Sequence, residues 1–232
     1  MKHKKTHSAE SKSRRTRNIA IALAGGLLAL AAGWVMLRFS PRAYQPLPTE
    51  NPEQVSPYLT HKLGPDFYNQ VQLNEPFDLV IEQAGLNDML GRNGWPQRFG
   101  EVTVFRPVIV FDKDFIYLMS RIEVYGFSSV LTLAARPQMD ARGYVNFNIR
   151  SVRLGLVPIT AIAARVAEKA VADSAAEFQD WPDLEALFKA IVTNTFFEPT
   201  FDFGKQRIGL RSFSLEPGLL RLHLVPETKA AQ

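Results

Sequence analysis

Cysteine is absent from this 232-residue chain. Disulfides, thiolate nucleophiles, iron–sulfur clusters and Cys-based zinc sites are excluded with it, so the fold must be held by packing. Histidine is scarce: His3, His7, His61 and His223 show no HExxH and no paired ligand spacing, which argues against zinc catalysis. GxSxG, a Walker loop and GxGxxG are all missing. Glu82 and Asp88 flank a short helix with nothing to pair them for acid–base work, and Asp112 and Asp114 read first as turn formers and only second as a weak cation site. The expectation is a protein that is not an enzyme and carries no cofactor or metal.

Acid is missing from the N-terminus. Residues 1–17 hold seven Lys or Arg against Glu10 alone, while the rest of the chain carries twenty bases and twenty-two acids. The net charge of +4 therefore belongs to a tail. With a near-neutral remainder and no aromatic–basic motif, nucleic acid is not an expected partner.

Charge is absent altogether from Ile19 to Leu37, IAIALAGGLLALAAGWVML, nineteen residues closed by Arg38. A helix of that length reaches about 28 Å, close to the roughly 30 Å of hydrocarbon in a bilayer. The basic flank then places the N-terminus in the cytoplasm and everything after Ser40 outside. The competing reading is a cleaved secretory signal ending at Ala29-Leu30-Ala31, but the apolar run continues through Trp34 to Leu37. The expected layout is a cytoplasmic basic tail (1–18), a transmembrane helix (19–38), a Pro-rich linker (39–65), an extracytoplasmic α+β domain (66–226) and a short C-terminal tail (227–232).

Within the domain, Asp66–Val71 suggests a helical turn, Phe77–Ile81 a strand and Glu82–Gly91 a short amphipathic helix. Four runs with strand chemistry follow: Val102–Phe111, Phe115–Tyr125, Phe127–Arg136 and Tyr144–Val157. The turns between them are too short for anything but an antiparallel meander. Pro107 puts an edge or a bulge in the first run. In the last run the apolar phase flips near Arg150-Ser151, which calls for a bulge there or a change of packing environment.

After Pro158 an Ala-rich helix is expected over Ile159–Asp173, its inner stripe Ile159, Ile162, Ala163, Val166 and Ala170. A second helix, capped by Asp180 or Asp183, carries the stripe Leu184, Leu187, Phe188, Ile191 and Val192. Strands close the chain over Thr200–Phe203, Arg207–Leu215 and Leu219–Val225, the last two joined at Glu216-Pro217-Gly218.

This order, with Leu86, Asn87 and Leu90 in the small helix and Leu156-Val157-Pro158-Ile159 at the strand-to-helix step, resembles bacterial membrane-anchored envelope proteins of the YpmS and LmeA kind. The resemblance covers about Phe77 to Val225. It implies a TULIP-like fold, a curved antiparallel sheet rolled around two or three helices behind a single-pass anchor in the bacterial inner membrane. It also implies non-catalytic binding or transfer of lipid or another apolar ligand. The lining expected from it is Leu86, Leu90 and Trp95 on the entry side, Phe105 and Phe111 on the first long strand, and Ile162, Val166, Leu187 and Ile191 on the helices. Membrane lipid is the implied partner. The alternative is an envelope scaffold that works by protein–protein contacts, with envelope proteins as partners and no ligand.

Overall fold

A computed structural model of the chain describes residues 6–46, 48, 51–92, 94–174, 182–204 and 206–227, with side chains at 6–20, 22, 168, 170–174, 182–186 and 188 outside that description. The elements are α1 (Thr6–Arg38), a π-helical turn (Leu59–Leu63), α2 (Gly64–Leu73), β1 (Phe77–Glu82), α3 (Gln83–Gly91), β2 (Gln97–Phe99), β3 (Val102–Val104), β4 (Val108–Phe111), β5 (Ile116–Val124) and β6 (Phe127–Ala135). Then come β7 (Gln138–Met139), β8 (Val145–Asn146), β9 (Ile149–Leu154), β10 (Val157–Pro158), α4 (Thr160–Ser174), α5 (Pro182–Thr193), β11 (Thr200–Phe203), β12 (Gln206–Glu216) and β13 (Leu219–Glu227). The expected cap Asp180 lies outside the described residues, and so do the side chains of Asp183, Leu184 and Phe188.

The class is α+β with antiparallel pairing throughout, but the single rolled sheet expected from the resemblance is replaced by two sheets and a ribbon. A four-stranded sheet runs β1-β13-β12-β11, a seven-stranded sheet runs β10-β9-β6-β5-β3-β2 with β4 also on β5, and β7 pairs with β8. The reason is a long-range pairing. β1 takes the C-terminal hairpin as its partner, Phe77 opposite Leu224 and Leu79 opposite Leu222, and so closes a second sheet apart from the meander.

That second sheet is one-sided. Phe77, Leu79, Ile208 and Leu224 share a face, and Val71 of α2 packs on it to make a buried cluster. The opposite face carries the ion pairs Arg211–Glu227 and Arg221–Glu216 and the His223–Asp78 contact. Period-two alternation is enough to produce this division.

Both irregularities read from the sequence are visible in the seven-stranded sheet. Val104 pairs with Ile122 and Val108 with Met119, so Phe105, Arg106 and Pro107 face two residues of β5. The extra residue splits the first run into β3 and β4, and Pro107 falls in the break where no ladder donor is needed. On β9, Ser151 opposes Ala134 while Ile149 opposes Ala135, which leaves Arg150 as the extra residue and restores the apolar phase.

The membrane span and the placement drawn from it need correction. Among the described residues, no helix is long and apolar enough to cross a membrane. The last turn is also committed elsewhere. Leu156 donates its N–H to the Met36 carbonyl at 2.9 Å and the Ser129 hydroxyl donates to the Leu37 carbonyl. Trp34 packs against Phe127 with ring centroids 5.2 Å apart. The helix end that would have reached the outer interface is instead built into the seven-stranded sheet, and the single-pass anchor, the inner-membrane location and the extracytoplasmic domain are withdrawn with it.

Gly155 makes this joint possible. It adopts φ +59°, and a Cβ there would lie 2.3 Å from the Met36 carbonyl oxygen and 2.6 Å from that of Leu37. Only glycine satisfies both the backbone conformation and the close approach of α1.

Candidate functional site

α3 is the element from which the candidate site is built. Its Gln83 and Asn87, one turn apart, point at the outer edge of β4. The Ile109 N–H donates to Asn87 Oδ1 at 2.7 Å, Asn87 Nδ2 donates to the Ile109 carbonyl at 2.8 Å, and the Phe111 N–H donates to Gln83 Oε1 at 2.7 Å. Side-chain amides thus do the work of a further strand, and the edge is closed. The Asn87 of the small-helix motif is explained by this structural duty.

Another face of α3 holds the chain that precedes the domain. The Tyr58 ring lies over Gly85, where a Cβ would come within 2.3 Å of it, and the Tyr58 hydroxyl accepts the Glu82 N–H at 2.8 Å. Asp88 accepts from the Ser56 hydroxyl and from Arg92, whose Nη1 also donates to the carbonyls of Asn51 and Gln54. Hydrogen bonds from Arg92 hold the Asp88 carboxyl below its ordinary value; partial burial opposes this and Ser56 adds to the drop. The Pro-rich residues 51–58 therefore lie against α3, clamped by Tyr58 and by the Asp88–Arg92 pair.

Between this clamped segment and α3 runs an open groove of about 440 Å³, lined by Val55, Leu59, Leu86, Met89 and Leu90. A second, of about 330 Å³, lies beyond the end of α3 and is lined by Tyr44, Trp95, Pro96, Phe105, Arg106 and Arg121. The two meet at a corner, because Trp95 donates its indole N–H to the Leu90 carbonyl at 2.7 Å.

The residues expected to line one cavity are thus divided. Leu86 and Leu90 line the first groove, Trp95 and Phe105 the second. Phe111 is buried at 4 % exposure on β4. Ile162 and Val166, placed on the inner stripe of α4 by periodicity, are 63 and 64 % exposed, while Leu187 and Ile191 are half-buried on α5. α4 meets β9 and α5, so it has two neighbours to satisfy and leaves part of its apolar surface outside.

One arrangement was not foreseen. Strand register gathers Val104, Ile116, Leu118, Ile122, Leu131 and Leu133 on one face of the seven-stranded sheet. None of the six is buried, and Leu118 is 40 % exposed. Single runs hid this face, since β4, β5 and β6 carry apolar residues at both parities, and the bulge at Pro107 concealed that β3 joins it.

Arg106 and Arg121 were not singled out from the sequence either. The available signal was that Arg106 is the sole charge in the Val102–Phe111 run. As for catalysis, no group of acids and histidines able to hold a metal occurs among the described residues. His223 Nδ1 lies 2.7 Å from Asp78 Oδ1, with Ser212 opposite His223 on the next strand, but the row sits on the flat polar face of the four-stranded sheet. Comparison with protein-family models, with curated proteins and with solved structures finds no match.

Proposed function

We propose that the protein binds a lipid or another apolar ligand without catalysing a reaction on it. The observation that carries this reading is the open apolar wall of the seven-stranded sheet. Six aliphatic side chains on one face, five of them half-buried and Leu118 40 % exposed, leave apolar surface within reach of water beside the buried Phe111, Ala135 and Val152 of the same face. A buried methylene contributes about 0.8 kcal/mol, so an acyl chain laid on such a wall needs no polar chemistry to bind. The grooves beside α3 are separate from this wall, since Arg121, which lines the second of them, alternates with Ile122 and projects from the other face of the sheet.

A second reading, contact with partner proteins and no ligand, draws support from a different place. β11 ends the four-stranded sheet, and its Phe201 and Phe203 cluster with Phe67 and Tyr68 of α2, ring centroids 5.0 to 6.4 Å apart. Tyr68 is 52 % exposed and the two phenylalanines just under 40 %. An aromatic cluster beside a free strand edge suits an incoming strand.

Native mass spectrometry of the gently purified full chain separates the two. Co-purified apolar mass, and saturable uptake of a fluorescent fatty acid, are expected if the wall is a ligand site. A chain that is reproducibly empty and takes up no probe transfers the function to the aromatic edge.

A further inference from the structure

We infer that the groove beside Trp95 is an anion site, which takes the charged head of an amphiphile and lays the first part of its apolar body on Trp95 and Phe105. The inference deepens the ligand-binding reading and rests on it. Among the described residues, two arginines, Arg106 and Arg121, line this groove and no acid does. The Arg121 guanidinium lies 3.6 Å from the centroid of the Phe105 ring. A guanidinium seated over a ring face leaves N–H groups at its rim for a bidentate contact with a carboxylate or phosphate. Across the ladder Arg121 faces Val130, and Glu123 is the nearest acid along its own strand.

The walls are fixed before any ligand arrives. Trp95 is held by the Leu90 carbonyl, and Tyr44 donates its hydroxyl to the Arg106 carbonyl at 3.0 Å. The bulge itself is pinned at both ends of Phe105, whose N–H donates to the Arg121 carbonyl at 2.8 Å and whose carbonyl accepts the Ser120 hydroxyl at 2.6 Å. The extra residue at Pro107 thus has a use: it turns Phe105 and Arg106 out of the ladder and into the groove. A volume of about 330 Å³ is at the small end of ligand sites, enough for a head group and a few methylenes.

The required chemistry is a compact anion on an apolar body, which a carboxylate or a phosphate supplies. The test uses the full chain with a fluorescent fatty acid, its methyl ester and an alkyl phosphate bearing the same fluorophore. The anions are expected to bind about tenfold more tightly than the ester, the tighter one naming the head. Arg121→Gln should abolish that preference and leave ester binding unchanged, and Arg121→Lys should retain part of it. The preference of the wild-type chain should also shrink with added salt, a check that needs no variant. Equal binding of ester and anion, or a preference that survives in a folded Arg121→Gln protein or ignores salt, overturns the anion site while leaving the apolar reading intact. Failure of every probe to bind overturns both.

Discussion

The two sheets of this molecule obey the same alternation rule and end differently. In the four-stranded sheet every second residue is apolar, one helix covers the centre of the apolar face, and Ile208 is fully buried between them, with exposure confined to Phe201 and Phe203 at the β11 end. In the seven-stranded sheet both faces carry apolar residues and both hold buried positions, Met119 and Val130 on one, Phe111 and Val152 on the other, but on that second face Leu118 and Leu133 stay within reach of solvent. The first sheet is a closed core and the second is partly a surface. The comparison teaches that apolar pattern alone does not separate stability from binding; cover does.

Replacing a residue of the closed core should have the largest effect. Ile208→Ala removes a side chain with no exposed area and is expected to cost about 4 kcal/mol in chemical denaturation, with no effect on ligand uptake beyond that of lost fold. If it is well tolerated, the contrast between the sheets is wrong. Gly155→Ala comes next, at about 3 kcal/mol, since it combines a left-handed backbone with a clash against the end of α1. Proteolysis should then separate α1 from the rest before the sheets unfold.

Asn87→Ala strips two hydrogen bonds from the edge of β4 and should cost about 2 kcal/mol, with the loss of protection at the Ile109 amide visible by hydrogen exchange. Leu118→Gln sharpens the comparison most directly. On a half-open wall it should change stability by less than about 1 kcal/mol and yet weaken uptake of an apolar probe roughly tenfold. Unchanged uptake there would remove the main support for the wall as a ligand site.

The smallest effect concerns acid. Asp88 has its folded pKa lowered, so its contribution is complete above the unfolded carboxylate value of about 3.9 and is lost as pH falls through the lower folded value. The urea midpoint of the wild type should therefore fall in that acidic window more than that of Asp88→Asn, and the two should converge at its lower end.

Much of this was legible. The hairpin at Pro217-Gly218, the bulge demanded by Pro107 and the extra residue at Arg150 are written in local chemistry, whereas the run expected to reach Val157 turns at Gly155 and pairs Val157-Pro158 back on Leu154 and Arg153. What the sequence could not show were pairings made at a distance. Nothing in FDLVI says that β1 will take β13 rather than the meander, and nothing in a nineteen-residue apolar run says that its last turn will dock on Ser129 and Gly155. The site residues suffered likewise. Periodicity put Ile162 and Val166 on a stripe, but which stripe a helix buries depends on where its neighbours stand. Arg121 looked like an ordinary charge on a strand until the bulge brought the Phe105 ring beneath it.

The joint at Gly155 gives α1 a mechanical character. A helix of 33 residues is about 50 Å long. Fastened at one extremity through two of its own carbonyls, it is a lever whose fulcrum lies on the same sheet as the apolar wall. A sideways push far along the rod would arrive as torque at the strands its last turn touches, β6 and β10.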